Sequence, residues 1–279
     1  MTSAREHRVS AWDGLAIHAT SWGDETGLPP LLCLPGLVRT GEDFSRFGAA
    51  HGGGRRVVAI DYPGRGRSGR ARDVARYTPE ATLRDILDVA AALSIPRAVV
   101  VGTSFGGLMA MGIAVLRPGL LGGVVLNDIG PEIGAAGEAF IRRFVAEDPA
   151  WPDLAAAAGY LRTVLPTLSF TEEADWLEFA RLTYEEGADG RLHPRWDRRI
   201  AEMLGGPPRD LWPFFDALEG VPVLLVHGGA STLLLEGTVE RMRARRPDMT
   251  VATVANVGHA PTLAEPVAAA AIERFLAAL

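Results

Sequence analysis

Residues 98–118 read AVVVGTSFGGLMAMGIAVLRP and pass from a short β-branched run through glycines into a long apolar stretch. The pattern predicts a buried strand that ends at Gly102, a very tight turn at Ser104, and a helix over 105–116. Glycine is required at Gly102 and Gly106, because a side chain there would collide with the neighbouring strand or helix. The turn is expected to expose the Ser104 hydroxyl above the sheet, near a helix N-terminus whose dipole favours developing negative charge.

Other β-branched runs lie on both sides of this stretch and alternate with helix-sized intervals. Runs that are apolar on both faces are typical of a parallel sheet covered on both sides. The sequence therefore predicts an α/β fold, with an antiparallel hairpin around Trp12 at the edge of the sheet. The predicted strands are 31–34, 56–60, 98–101, 123–127, 221–226 and 251–254, and the predicted helices are about 80–93, 105–116, 235–246 and 264–278.

One long interval without a strand-like run interrupts this alternation, between the strands at 123–127 and 221–226. A single crossover helix needs only a fraction of that length, so residues 131–215, called the insertion below, are predicted to form a small helical cap. Residues 1–130 and 216–279 would form the core domain. The tryptophans of the insertion are expected to anchor its helices, to line a pocket against the core, or to do both. They are Trp151, Trp176, Trp196 and Trp212.

Composition limits the classes of function. The chain has 279 residues, a net charge of −6 without long single-sign blocks, and no apolar run of membrane-spanning length. We therefore expect a cytoplasmic protein that binds neither nucleic acid nor a membrane. All 28 basic residues are arginine, which excludes a lysine Schiff base and a Walker-type phosphate loop. The lone Cys33 excludes an internal disulfide and argues against a cysteine-based metal site.

A serine hydroxyl is a poor nucleophile without a base, so a histidine is expected near Ser104. Of the six histidines, His259 follows the last predicted strand and precedes the C-terminal helix. It is therefore expected at the same edge of the sheet as Ser104. The nucleophile comes first in the chain and the base last, which is the order that this strand–turn–helix serine requires.

Three further stretches resemble the α/β-hydrolase superfamily, and the resemblance covers almost the whole chain. CLPGLVRTGEDF (33–44) resembles the loop after the third strand, DYPGRGRSG (61–69) the D-x-x-G-x-G-x-S turn after the fourth, and GHAPTLAEP (258–266) the histidine loop. The resemblance implies a mostly parallel eight-stranded sheet, with helices on both faces and the cap inserted after the sixth strand. It also implies an oxyanion hole formed by the backbone N–H groups of Leu37 and Phe105.

The acid that orients the histidine is absent from its usual place in that family. Members similar to this chain usually read Gly-x-x-Ser-Asp after the strand VPVLLV, whereas this chain has Thr232 at the position of the aspartate. Threonine can accept a hydrogen bond from an imidazole, but it cannot offset the charge formed during acyl transfer.

Three readings of the acid stay open. Asp128, just past the strand after the nucleophile's helix, is at the position that certain haloalkane dehalogenases use for their acid, and it could instead cap a helix or brace the loop. Glu236 lies several residues into the next helix and is a second candidate. In the third reading the chain has no acid.

The residues and the resemblance together predict a serine hydrolase that cleaves an ester, lactone or activated C–C bond of a small hydrophobic molecule through an acyl-enzyme, without cofactor or metal. A serine nucleophile disfavours dehalogenase and epoxide-hydrolase chemistry, since both need a carboxylate there. The alternative is a non-hydrolytic protein on the same scaffold, a ligand receptor or a lyase, for which Thr232 is an adaptation.

Overall fold

The structure, a computed structural model, describes residues 3–204, 206 and 209–279 and folds them around one large β-sheet. Within these residues, no helix combines the length and the apolar character needed to cross a membrane. The strands are β1 (Arg5–Ser10), β2 (Ala16–Trp22), β3 (Leu31–Leu34), β4 (Val57–Ile60), β5 (Ala98–Thr103), β6 (Leu121–Asn127), β7 (Tyr184–Glu186), β8 (Leu192–Pro194), β9 (Val223–Gly228) and β10 (Thr250–Val254). The α-helices are α1 (Ser45–His51), α2 (Pro79–Ala92), α3 (Phe105–Leu116), α4 (Ala135–Ala146), α5 (Leu154–Val164), α6 (Glu173–Thr183), α7 (Trp212–Asp216), α8 (Glu236–Arg245) and α9 (Pro266–Ala277).

The large sheet has the strand order β1-β2-β4-β3-β5-β6-β9-β10. The hairpin β1–β2 is antiparallel and forms one edge, and β2 pairs with β4 in the antiparallel sense. The other six strands of this sheet run parallel to one another, in the order β4, β3, β5, β6, β9 and β10. This is the mostly parallel eight-stranded sheet that the sequence predicts, with its hairpin at the edge. The predicted strands and helices agree with the observed bounds to within a few residues.

Both faces of the sheet are covered, because successive side chains of a strand point to opposite faces. In β3, Leu32 and Leu34 pack with residues of α2, α3 and α8, whereas Leu31 and Cys33 pack with residues of α1 and α9. All four side chains are fully buried. A strand buried on both faces needs apolar residues at every position, which is why these runs do not alternate.

The strand order brings distant parts of the chain to one edge of the sheet. Strands β5, β6, β9 and β10 are consecutive neighbours, so their carboxyl ends lie side by side. Ser104 follows β5, Asp128 follows β6, and His259 lies in the loop after β10. The loops beyond the carboxyl ends of parallel strands are the usual place for a binding site in such folds.

The insertion contains helices α4, α5 and α6 and reaches the short helix α7. It also contains the antiparallel hairpin β7–β8, which the sequence does not predict, because three-residue strands carry no readable alternation of apolar and polar residues. Residues 205, 207 and 208 of the insertion lie outside the described residues. The division of the chain at 130 and 216 stays a prediction.

Three tryptophans of the insertion are packed as anchors. Trp151 and Trp176 belong to an apolar cluster formed within the insertion itself. Trp196 is buried beside Tyr77 of the core, and its indole N–H donates to the carbonyl oxygen of Val145 at 2.9 Å. These contacts favour the anchoring interpretation of these residues over the pocket-lining one.

Candidate active site

Ser104 has a strained backbone between β5 and α3, with φ 52° and ψ −116°. Residues other than glycine rarely adopt a positive φ, and those that do cluster at functional sites. A Cβ on Gly102 would lie 2.5 Å from the carbonyl carbon of Gly106, and one on Gly106 would overlap the carbonyl oxygen of Leu34. The close approach of β3, β5 and α3 therefore requires glycine on both sides of the serine, as the sequence predicts.

Ser104 is more covered than the sequence predicts. The residue retains 9% of its accessible surface, whereas an exposed hydroxyl is expected from the turn alone. One reason is the loop after β3, since a Cβ built on Gly36 would lie 3.9 Å from the Ser104 Cβ. A reaction at Ser104 would therefore take place largely away from bulk water, where hydrogen bonds to a developing charge are stronger.

Asp128 is fully buried, and its carboxylate joins two neighbouring elements. Its Oδ2 lies 2.8 Å from His259 Nδ1, and its Oδ1 accepts a hydrogen bond from the Gly228 backbone N–H at 2.8 Å. The backbone of Asp128 has a φ of 53°. The acid candidate after β6 is thus in direct contact with the histidine, and it is held there by the end of β9.

The other two positions considered for the acid lie elsewhere. Glu236 has a side chain that is 62% exposed, and its carboxylate is 3.5 Å from His227 Nδ1. Thr232 is exposed, and its backbone carbonyl faces the segment before α4, where a Cβ on Gly134 would overlap it. Among the described residues, Asp128 is the one acid candidate that contacts His259.

His259 is held at Nδ1 by Asp128. If Nδ1 carries the proton and donates to Asp128, Nε2 is the unprotonated nitrogen that can accept one. No hydrogen bond joins the Ser104 hydroxyl to His259 in the part of the chain that the structure describes. Such bonds are often long before substrate binds. Their segments are nevertheless linked through Asn127, whose carbonyl oxygen accepts from the Ser104 backbone N–H at 3.0 Å and whose Nδ2 donates to Pro261 O.

Asn127 is a buried residue of this site that sequence reasoning did not select. Its Nδ2 donates to Pro261 O at 2.8 Å, in the histidine loop, and to Thr103 Oγ1 at 3.1 Å, beside the nucleophile. Asn127 therefore ties the loop of the base to the strand of the nucleophile. The available signal was the polar pair Asn-Asp that ends an otherwise apolar strand.

The loop of residues 35–39, which contains the predicted oxyanion donor Leu37, forms a tight turn. It is closed by a hydrogen bond from the Arg39 backbone N–H to Gly36 O at 3.1 Å. In the described residues, the backbone N–H groups of Leu37 and Phe105 donate to no protein acceptor. Both groups are therefore available to an oxygen bound beside Ser104.

The side chains of Arg39 and Glu42 connect this part of the core to the insertion. The Arg39 guanidinium donates to Asp43 and, at 2.6 Å, to Thr183 Oγ1 at the end of α6. Glu42 accepts hydrogen bonds from Arg195 at 2.8 Å and from Arg181 at 3.0 Å. Burial acts to raise the pKa of Glu42, but the two guanidinium groups outweigh it and lower the pKa. The carboxylate therefore stays ionised between core and insertion.

Neither Cys33 nor a cluster of ligands suggests a metal centre. Cys33 is buried in β3, and desolvation raises the pKa of its thiol, so the thiolate that binds metals is disfavoured. The described residues contain no group of three or more His, Cys, Asp or Glu side chains arranged to hold a metal ion.

Comparison with known proteins places this fold in a family. Residues 31–272 match the model of the alpha/beta hydrolase family. A 3-hydroxybutyrate-oligomer hydrolase from Cupriavidus necator is 33% identical over 267 residues, which cover 91% of this chain and 90% of that protein. A 2-hydroxymuconate semialdehyde hydrolase from Pseudomonas sp. is 28% identical over 204 residues, 71% of this chain and 64% of that protein.

Solved structures give the same result. An alpha/beta hydrolase from Novosphingobium aromaticivorans has a TM-score of 0.94 at 34% identity, with both chains fully covered. An esterase from Mycobacterium tuberculosis has a TM-score of 0.75 at 26% identity, covering 100% of this chain and 92% of that one. These similarities confirm the predicted fold, and the named relatives are hydrolases. The chain belongs to the alpha/beta hydrolase family.

Proposed function

We propose that the chain is a serine hydrolase that cleaves an ester, lactone or activated C–C bond of a small hydrophobic molecule through an acyl-enzyme. The observation that carries the proposal is the contact of 2.8 Å between Asp128 Oδ2 and His259 Nδ1. A buried carboxylate at this nitrogen fixes the imidazole tautomer and stabilises the imidazolium that forms during acyl transfer. The activities named for the relatives support hydrolysis as the reaction class.

In the proposed mechanism, Ser104 Oγ attacks the substrate carbonyl carbon while its proton passes to His259 Nε2. The N–H groups of Leu37 and Phe105 bind the tetrahedral oxyanion. Collapse of this intermediate breaks the bond to the leaving group, which takes the proton from His259 and departs, and the acyl group stays on Ser104. Water activated by the same imidazole then releases the acid, and Asp128 stays ionised throughout.

An ester is the first substrate class to test. The relative from Cupriavidus necator is named for the hydrolysis of 3-hydroxybutyrate oligomers, whose units are joined by ester bonds. A short oligomer of this kind offers a carbonyl for Ser104 and a hydroxy acid as leaving group. Lactones and activated C–C bonds require the same nucleophile, base and oxyanion donors, so they are the next classes in order.

The non-hydrolytic alternative rests on the threonine at position 232. It predicts that no carboxylate serves the histidine, and a receptor or lyase would need none. The contact between Asp128 and His259 supports the hydrolase instead, since it supplies a charged partner from another strand. No other observation favours the alternative.

The experiment measures release of p-nitrophenol from p-nitrophenyl butyrate, followed by hydrolysis of a short 3-hydroxybutyrate oligomer. We expect a burst followed by steady turnover, and loss of both in Ser104→Ala. A fluorophosphonate probe should add one label to the unmodified chain and none to this variant. Ser94→Ala is the matched control, because Ser94 also has a positive φ, 56°, but lies just beyond α2.

Two results would contradict the proposal. Turnover that persists in Ser104→Ala would assign the reaction to another group. An unmodified chain that binds the ester tightly but neither turns it over nor reacts with the probe would favour the non-hydrolytic alternative.

A further inference from the structure

Arg65 is a fully buried cation that the mechanism above does not use. The residue is 1% exposed and belongs to the turn of residues 61–69. Its Nε donates to Leu37 O at 2.8 Å, and its Nη1 donates to Pro63 O at 2.7 Å. Nη2 is buried and has no hydrogen-bond partner among the described residues.

Among the residues that the structure describes, no carboxylate contacts this guanidinium directly. The guanidinium carbon, Cζ, lies 5.8 Å from the ring centre of Tyr62 and 5.8 Å from that of Tyr77. Aromatic rings therefore take the place of a counter-ion. The nearby Asp197 is hydrogen-bonded to Arg199 and Tyr77, and Asp85 is paired with Arg76. Burial lowers the pKa of Arg65 to about 10, which still leaves the group charged at neutral pH.

A buried cation without a contacting anion costs free energy that a neutral side chain would not. Its position indicates what the charge could act on. The carbonyl that Nε binds belongs to Leu37, whose N–H is one of the two proposed oxyanion donors. The covalent geometry of a residue puts its backbone nitrogen within about 4 Å of its own carbonyl oxygen, so Arg65 Nε lies within about 7 Å of that donor.

The same turn holds the oxyanion loop at a second point. The Tyr62 hydroxyl donates to Pro35 O at 3.2 Å, so both carbonyls that flank Gly36 are bound by the turn. The turn is fixed in its own place by the insertion. The Gly66 N–H donates to Arg195 O at 2.9 Å, and the backbones of Arg65 and Trp196 form an isolated antiparallel β-bridge.

We propose that Arg65 is a positioning residue for the oxyanion hole: it holds the Leu37 carbonyl group through Nε and adds a buried positive charge near the oxygen that becomes negative in the transition state. This role rests on the proposed hydrolysis at Ser104. A charge aimed at a developing anion in a site away from water lowers the energy of the transition state more than that of the neutral substrate. Its loss therefore affects kcat and leaves KM nearly unchanged.

The test compares two buried arginines that bind backbone carbonyls. Arg55 donates to Pro29 O and Leu276 O and lies far from Ser104 in the fold, so Arg55→Met is the matched control for Arg65→Met. Turnover of p-nitrophenyl butyrate is measured together with inhibition by a trifluoromethyl ketone, which forms a tetrahedral anion on the nucleophile. Affinity for butyrate reports binding without that anion.

For Arg65→Met we expect kcat and the affinity for the ketone to fall together, by about 10- to 100-fold, since a charge near the donor contributes less than a direct donor. KM and the affinity for butyrate should change less than threefold. Arg55→Met should lower thermal stability without changing kcat or the affinity for the ketone. Arg65→Lys keeps the charge but not the guanidinium fork, so its kcat should lie between those of the unmodified chain and Arg65→Met.

Other outcomes overturn the proposal. If Arg65→Met matches Arg55→Met in kcat and in ketone affinity, Arg65 only stabilises the fold. If Arg65→Met does not fold, Arg65→Gln, which is neutral and polar, replaces it, and an unchanged kcat and ketone affinity in Arg65→Gln give the same conclusion. Absence of Ser104-dependent turnover in the unmodified chain removes both this proposal and the proposed function, and it is recognised before any Arg65 variant is measured.

Discussion

Asp128 has a φ of 53°, a backbone conformation that costs on the order of 1 kcal/mol in a residue other than glycine. The cost is offset by three hydrogen bonds. The Asp128 backbone N–H donates to Val226 O, and its two carboxylate oxygens contact the Gly228 N–H and the His259 ring, each at 2.8 Å. The left-handed turn therefore carries the side chain from the end of β6 across the end of β9 to the histidine.

The residue-scale prediction concerns the charge at this position. Asp128→Asn keeps the shape but removes the charge and permits the wrong imidazole tautomer, so kcat should fall about 10⁴-fold with little change in KM. Thr232→Asp should leave kcat within a few-fold, alone or combined with Asp128→Asn, because position 232 is exposed and does not contact His259. Steady-state kinetics with p-nitrophenyl butyrate measures both.

Either of two outcomes would reassign the acid. Unchanged turnover in Asp128→Asn would mean that Asp128 braces the loop and does no more. A rise of several orders of magnitude in Thr232→Asp would identify position 232 as a lost member of the triad.

At the scale of single elements, the hairpin β7–β8 is held by a histidine between two carboxylates. His193 Nδ1 lies 2.9 Å from Asp148 Oδ1, and Nε2 lies 3.0 Å from Asp189 Oδ1. The hydrogen bonds to Asp189 and then to Asp148 raise the pKa of His193 above its ordinary value of 6.5. Arg198 also contacts this cluster, 3.6 Å from Asp148.

The raised pKa predicts how stability depends on pH. The protonated form is favoured in the folded chain, so its contribution is fully present below pH 6.5 and is lost as pH rises through the folded pKa. His193→Gln should therefore lower Tm at pH 5.5 more than at pH 8, as measured by differential scanning calorimetry. His51→Gln is a control of opposite sign, because burial lowers the pKa of His51 and its contribution is lost as pH falls. A Tm difference for His193→Gln that is equal at both pH values would show that the imidazole does not titrate as described.

At the scale of the whole molecule, Asp197 joins the insertion to the core. Its carboxylate accepts hydrogen bonds from the Tyr77 hydroxyl at 2.7 Å and from Arg199, whose guanidinium also donates to Ala71 O and Arg72 O of the core. Burial acts to raise the pKa of Asp197, but the bonds from Arg199 and Tyr77 outweigh it and lower the pKa to about 2.

A lowered pKa places the stabilisation at neutral pH. It is present above pH 3.8 and is lost as pH falls towards 2. Asp197→Asn should lower Tm at pH 7 by about 2–6 °C, the effect of losing charged hydrogen bonds in a domain of this size, and by much less near pH 2.5. Asp24→Asn is the control, since Asp24 forms an exposed pair with Arg5 and such pairs contribute little. Equal Tm values for Asp197→Asn and the control at pH 7 would show that the insertion is held by its other contacts.

The sequence by itself determined the sheet, the serine turn and the place of the histidine. Apolar runs set the strands because both faces of the sheet are buried, and Gly102 and Gly106 mark the turn because no side chain fits between β3, β5 and α3. These features depend on side-chain periodicity and on steric contact between neighbouring elements. Both can be read from residues close together in the chain.

Only the tertiary structure decided which acid meets His259, how far Ser104 is covered, and where the charge of Arg65 lies. Asp128 and Glu236 are both carboxylates that the sequence offers as the acid. Asp128 is 131 residues from His259 in the chain. Its contact depends on the pairing of β6 with β9 and of β9 with β10, and on a left-handed turn at a residue other than glycine. The hairpin β7–β8 and the burial of Arg65 were missed for the same reason, because a contact between distant segments is fixed by the order of the strands and the path of the loops, and neither leaves a periodic pattern in the chain.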